Sequence, residues 1–309
     1  MAIEILQTQR LPARCEQALA ERYVVHRLFD AADRQALLAD VAPRVRATAG
    51  GHVDAALMDR LPRLEIIAVF GVGYDSVDTE AARSRRLRVT NTPEVLNDAV
   101  AELAIGLMVA LARHIPQADR YVRGGGWAKA GFPLQAELNG KTLGILGLGR
   151  IGKEIATRAQ AMKMRVVYHG RHRQPYEPYV YYSSLLDMAR DCDWLVAVAP
   201  GGRETYRMVS REVLAALGPA GGFVNLGRGT LVDEAALVEL LQSGELGGAA
   251  LDVFEHEPHV PEALFGLDNV VLSPHQGSGT RQTRERMGAL VVANLDAHFA
   301  GEPLPSAVV

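Results

Sequence analysis

At 309 residues the chain is long for one domain and short for three, and at ~100–200 residues per domain two are expected. Hydrophobic residues make up 48% and charged residues 22%, ordinary values that exclude an intrinsically disordered chain. The net charge of −3, from 33 Lys+Arg against 36 Asp+Glu, supplies no bulk positive field for nucleic acid.

The first six residues carry no basic cluster and place Glu4 among apolar neighbours, so they do not read as a signal peptide. Short apolar runs at 3–7, 24–27, 45–48, 65–69 and 88–90 alternate with helical patterns such as 14–21 and 34–41. That alternation predicts a parallel sheet covered on both faces. Cys15, in this first block, and Cys192 are the only cysteines. Two thiols build neither a disulfide framework nor a structural zinc site, and a reducing cytoplasm is expected.

The pattern then changes. Asn97-Asp98 offers a helix cap, and residues 98 to about 122 read as one long helix stopped by Gly124-Gly125-Gly126. Its most apolar part, 99–112, contains Glu102 and is too short to span a bilayer. After a loop with Trp127 and Pro133, strands are expected at 142–146, 164–168, 194–198, 222–226, 248–253 and 269–272, with helices between them at, for example, 151–162 and 233–242. Six strands joined by helices suit a dinucleotide-binding domain. A last helix is expected at about 283–299.

Residues 146–152 read Leu-Gly-Leu-Gly-Arg-Ile-Gly, a G-x-G-x-x-G placed between a strand and a helix, where the pattern gains its meaning. Gly147 makes the tight turn, Gly149 lets a pyrophosphate approach the backbone, and Gly152 lets helix and strand pack. The helix start then holds the anion through free N–H groups and the helix dipole. An acid that would take the adenosine ribose belongs about 20 residues on. That position falls near Gly170, followed by Arg171, His172 and Arg173. Two arginines without an acid favour a 2′-phosphate, hence NADP(H).

Three segments end strands of this second block: Asn225-Leu226-Gly227-Arg228-Gly229, Leu251-Asp252-Val253-Phe254-Glu255-His256-Glu257-Pro258, and Leu272-Ser273-Pro274-His275-Gln276-Gly277. Strand C-termini line the ligand crevice of such sheets. Reducing a 2-keto acid needs a proton donor, for which histidine suits. It also needs a carboxylate to orient that ring and an arginine fork for the substrate carboxylate. Taken singly, Arg228 fits a strand-turn cap as well, His275 a satisfied buried histidine, and Glu257 an exposed acidic loop shared with Glu255. A metal reading of Glu255, His256, Glu257 and His259 is disfavoured, since Pro258 interrupts the helical spacing.

Together these motifs resemble the D-2-hydroxyacid dehydrogenases, above all the NADPH-using glyoxylate/hydroxypyruvate reductases and plant-type hydroxyphenylpyruvate reductases. The match runs over nearly the whole chain and includes Gly71-Val72-Gly73-Tyr74-Asp75, Asn91-Thr92-Pro93, the 147–152 loop, Gly227-Arg228-Gly229, the 251–258 segment and Pro274–Thr280. The resemblance implies Arg228 as substrate-orienting residue, His275 as acid/base and Glu257, just before Pro258, as its partner. It implies that the N–H groups of Val72 and Gly73 bind the substrate carboxylate and that Asp252 receives the nicotinamide carboxamide. The expected cofactor set is Gly147, Gly149, Arg150, Ile151, Gly152, Arg171, Arg173, Pro200, Asp252, His275 and Gly277, with NADP(H) as cofactor and no metal. The expected architecture is α/β and two-lobed. A Rossmann domain covers 98–284, and a discontinuous flavodoxin-like substrate domain covers 1–97 and 285–309. A homodimer through the long helix, with its Leu103, Leu107, Met108 and Leu111, is implied as well. Two other readings fit less well. An NAD-linked biosynthetic dehydrogenase would place an acid near Gly170, and a dinucleotide-sensing corepressor would carry added interaction segments.

Overall fold

The computed structural model describes residues 2–309; residue 1, where the substrate domain is expected to begin, lies outside the described residues. Each strand is a run of three to six residues, and every pairing between named strands is parallel. Parallel neighbours need a crossover, which the intervening helices and turns supply.

The chain divides into two units, 2–96 with 280–309 and 97–279. The first contains β1 (Glu4–Gln7), α1 (Ala13–Arg22), β2 (Val24–Arg27), α2 (Arg34–Val41), β3 (Val45–Gly50), α3 (Ala55–Arg60), β4 (Ile66–Val69), α4 (Thr79–Ser84) and β5 (Arg88–Thr90). Its sheet order is β2-β1-β3-β4-β5, the flavodoxin-like order. Asp33, Asp54 and Asp78 cap α2, α3 and α4 by accepting N–H bonds of the first turn, which satisfies donors a helix cannot pair internally. Leu6, Ile67, Val69, Val89, Met58 and Leu61 pack into one core.

The second unit opens with α5 (Asn97–Ala112) and α6 (Ile115–Arg123). The expected single helix over 98–122 is therefore two helices, bent by 59°. Pro116 is the cause: it has no N–H for the Ala112 carbonyl and its ring clashes there. His114 turns the chain at φ +48°. Then follow β6 (Thr142–Leu146), α7 (Arg150–Ala161), β7 (Arg165–His169), β8 (Val180–Tyr182), α8 (Leu185–Arg190), β9 (Trp194–Ala197), α9 (Arg211–Leu217), β10 (Gly222–Asn225), α10 (Glu234–Ser243), β11 (Gly248–Leu251) and β12 (Val270–Leu272). The sheet has seven strands, not six, in the order β12-β11-β10-β9-β6-β7-β8. Counted within the unit this is the Rossmann order, with a seventh strand outside the sixth. The missed strand, β8, is three residues long and follows two prolines, Pro175 and Pro178, so no alternation marks it. It pairs with β7, and the Tyr181 ring tilts against Tyr168 at 5.3 Å.

The chain returns to the first unit at Thr280, against the expected 285. There the Thr280 side chain caps α11 (Arg281–Ala300) by accepting from Thr283 N. The tail beyond α11 adds to the edge of the first sheet: Ala307 bridges Thr90, and Val308 N donates to Val89 O at 2.7 Å. No single helix among the described residues is long and apolar enough to cross a membrane.

Candidate active site

β6 ends at Leu146 and the chain turns at Gly147 with φ +98°. A Cβ at Gly147 would lie 2.8 Å from Ala199 N, and one at Gly152 would lie 2.3 Å from Gly147 O. Both glycines are thus fixed by close packing. Gly149, at the start of α7, has no neighbour within 4 Å of where a Cβ would stand, so the start of α7 is bare. This cradle fits the pyrophosphate of a dinucleotide. Arg150 is exposed and Ile151 half-buried on the first turn of α7. Pro200 follows β9, the strand beside β6, so it stands where the strand order reverses, the usual ligand crevice of this topology.

The loop after β7 lies against this turn. Gly147 N donates to His169 O at 2.9 Å. Gln174, a residue the sequence pattern did not single out, binds the loop on both sides: its N donates to Tyr168 OH at 2.7 Å and its Nε2 donates to Leu148 O. Arg171 and Arg173 are exposed on the same loop.

Three further loops leave β10, β11 and β12. After β10, buried Asn225 forms a clamp: Nδ2 donates to Arg228 O at 2.9 Å and Oδ1 accepts from Gly227 N at 3.1 Å. The Arg228 Nη1 donates to Gly227 O at 2.7 Å. After β11, the carboxylate of Asp252 is buried and holds the loop after β12. It accepts from Ser273 Oγ at 2.5 Å, Gln276 N at 2.6 Å and Gly277 N at 2.7 Å. His275 N donates to Asp252 O at 2.9 Å, and His275 sits at φ +53°. A non-glycine residue in that region costs ~1–2 kcal/mol, offset here by the Asp252 bonds.

These loops bring Glu257 to His275. Glu257 Oε2 lies 2.7 Å from His275 Nδ1, and Oε1 accepts from Phe254 N at 3.1 Å. The Glu257 side chain is 35% exposed and the His275 side chain 47%. Burial pushes the Glu257 carboxyl up, but the His275 hydrogen bond and charge, the Phe254 N–H and the Arg228 charge outweigh it and leave it below its ordinary range. Glu255 points elsewhere, accepting from Tyr206 OH at 3.3 Å and Arg207 Nη2 at 3.4 Å. His256 and His259 close a tight turn through their backbones, His259 N donating to His256 O at 2.8 Å. Among the described residues no group of three or more His, Cys, Asp or Glu could hold a metal ion.

In the first unit, Val72 and Gly73 are half-buried in the loop after β4. Asn91 Nδ2 donates to Val72 O at 2.8 Å and Thr92 N donates to Gly71 O at 2.8 Å. Asn91 is held by the carboxy-terminal tail, where Ser306 Oγ donates to Asn91 O at 2.7 Å while buried Asn294 donates from Nδ2 to Ser306 Oγ at 2.8 Å. The Asn91-Thr92-Pro93 motif is visible in the sequence, but its partners lie some 200 residues away in the chain and carry no local signal.

A Rossmann unit with a glycine phosphate turn, a flavodoxin-like unit, and an arginine beside a paired glutamate and histidine at the strand ends define a dinucleotide-dependent oxidoreductase. The comparisons narrow the class. Residues 105–277 match the family model for the NAD-binding domain of D-isomer-specific 2-hydroxyacid dehydrogenases. Hydroxyphenylpyruvate reductase of Plectranthus scutellarioides is 47% identical over 100% of this chain and 99% of its own length. Glyoxylate/hydroxypyruvate reductase A of Arabidopsis thaliana is 45% identical, with the same coverage. Among solved structures, the NADPH-dependent glyoxylate/hydroxypyruvate reductase of Sinorhizobium meliloti, in complex with NADP and malonate, superposes with a TM-score of 0.95. It is 43% identical over 100% of this chain and 97% of its own. The chain belongs to the D-isomer-specific 2-hydroxyacid dehydrogenase family.

Proposed function

We propose that this chain reduces a small 2-keto acid, of the glyoxylate or hydroxypyruvate type and extending to aryl-pyruvates, to the D-2-hydroxy acid with NADPH. The observation that carries the reading is the 2.7 Å contact between Glu257 and His275. With Nδ1 held by the carboxylate, Nε2 is the ring nitrogen left to give a proton to the carbonyl oxygen. Arg228 orients the substrate and polarises its carbonyl, and the family resemblance implies bonds from the Val72 and Gly73 N–H groups to the substrate carboxylate. When bound, the reduced nicotinamide supplies the hydride for the carbonyl carbon.

Gly147, Gly149, Arg150, Ile151 and Gly152 would hold the pyrophosphate, with Pro200 at the strand-order reversal. Asp252 would take the nicotinamide carboxamide with the acceptor capacity its three loop bonds leave, since a carboxylate has about four acceptor sites. Gly277, donating to Asp252, and His275 complete the set. For NADP over NAD, the support is Arg171 and Arg173 on a loop that Gln174 fastens to the phosphate turn, together with NADP in the Sinorhizobium meliloti relative. The two thiols, Cys15 and Cys192, are free and buried, which fits a reducing cytoplasm. Initial rates over a panel of keto acids, each with NADPH and with NADH, test the reading. Turnover of glyoxylate, hydroxypyruvate or hydroxyphenylpyruvate with NADPH ahead of NADH is expected; no turnover of any 2-keto acid rejects it.

A further inference from the structure

The loop that carries Glu257 starts at the peptide joining Phe254 to Glu255, and this peptide is enclosed. A Cβ on Gly229 would stand 1.9 Å from Phe254 C, 2.1 Å from Phe254 O and 2.2 Å from Glu255 N. Only glycine lets the turn that carries Arg228 lie this close to the peptide. Its N–H and that of the peptide before it go to two glutamates. Glu255 N, of this peptide, donates to Glu234 Oε2 at 3.0 Å, and Phe254 N, of the preceding one, donates to Glu257 Oε1 at 3.1 Å.

Glu234 is the first residue of α10 and only 8% exposed. Burial holds its carboxyl above the ordinary range, against the pull of the Glu255 N–H; the Glu255 charge adds to the rise and His256 opposes it. A buried carboxylate is costly unless its hydrogen bonds are made, so the bond to Glu255 N is its reason to stand there. The other charged groups around this peptide are Arg207, which binds the Glu255 carboxylate from the far side, Arg228, and the Glu257–His275 pair. Asp252 adjoins His275 through its carbonyl.

We propose that Glu234 is a positioning residue for the Glu257–His275 pair: it pins the Phe254–Glu255 peptide against Gly229 and so fixes Glu257 at His275 Nδ1. The proposal rests on the reading of His275 as proton donor. Glu234 acts through the loop backbone, by its bond to Glu255 N.

The test uses the whole chain with three replacements at this position. Glu234→Ala removes the acceptor, Glu234→Asp keeps the charge but is one methylene too short, and Glu234→Gln keeps an amide oxygen that can accept the same N–H. Expected for Glu234→Ala and Glu234→Asp is a kcat about tenfold lower, inside the ~10² that a misplacement of ~1 Å can cost, with NADPH affinity unchanged. Glu234→Gln restores kcat. The double variant loses no more than Glu257→Gln alone. The independent readout is the NMR resonance of the His275 Nδ1 proton in cofactor-free protein, which reports its hydrogen bond to Glu257, moves in Glu234→Ala and returns in Glu234→Gln. An unmoved resonance in a folded variant overturns the proposal, as does a loss that adds to that of Glu257→Gln. If Glu234→Ala does not fold, Glu234→Asp decides by the same readouts. If the wild type reduces no keto acid, the functional reading fails, while the NMR resonance still decides whether Glu234 sets the pair.

Discussion

At the scale of single residues, the site depends on one contact and on the state of one carboxylate. Glu257 stays ionised below the usual carboxylate range, so it is anionic over the whole range in which an imidazole gains or loses its proton. Replacing it with a neutral amide removes the charge that holds Nδ1, so Glu257→Gln should lower kcat for keto-acid reduction about tenfold or more; an unchanged kcat would show that the pair does not serve proton transfer. Loss of the ring itself is more damaging: His275→Ala should lower turnover by ~10²–10⁴ while NADPH affinity, read by fluorescence, falls far less, because the phosphate turn is untouched. Near-normal turnover in His275→Ala would reject the assignment. The cofactor prediction belongs at this scale too. A hydrogen bond to a charged group contributes ~1.5–3 kcal/mol, or about one to two decades of affinity. Arg171→Ala should weaken NADPH by that amount and leave NADH little changed; equal loss for both would show that Arg171 does not read the 2′-phosphate.

At the scale of elements, loops after strands hold the chemistry and distant segments hold the loops. The Gly71–Gly73 loop after β4 is fastened by Asn91 and Thr92 from β5's end, and Asn91 in turn by Ser306 and Asn294. Asn91→Ala removes the bond to Val72 O. If that loop presents its N–H groups to the substrate, KM for the keto acid should rise about tenfold, the worth of ~1.4 kcal/mol, with kcat and NADPH affinity near wild type. A fall in kcat at unchanged KM would show that the loop does not bind substrate. The break between α5 and α6 is set in the same local way by Pro116, and its consequence is a change of surface. Leu107, Met108 and Leu111 of α5 are buried and Leu103 is half-buried, so core packing accounts for three of the four apolar side chains expected near a partner. Past the bend, Ile115 is 48% exposed, Val122 54% and Trp127 69%.

At the scale of the whole molecule, that apolar strip on and after α6 supports the homodimer that the family resemblance implies. A two-fold axis places the same patch on both subunits, and burial of large apolar side chains is the main favourable term in association. Sedimentation at micromolar concentration should give a dimer, and Val122→Arg should shift it towards monomer; a clean wild-type monomer would reject the idea. Much of the molecule was legible in the chain itself. Strand and helix periods alternate because each strand must bury its faces and each crossover must cover them, and the G-x-G-x-x-G turn stands between such elements with its own punctuation. The chain also brought Arg228, Glu257 and His275 forward, each at the end of an apolar run. It could not show β8, three residues long after two prolines, nor the second helix past Pro116 as separate. Neither could it show which acid meets the histidine: Glu255 and Glu257 are two residues apart, and only the fold turns Glu255 to Tyr206 and Arg207 and Glu257 to His275. Gln174, Glu234 and Ser306 belong to the same class. Each works through a side-chain hydrogen bond to a backbone group on another segment, and a bond of that kind leaves no period or motif in the sequence, because the partner is chosen by tertiary packing alone.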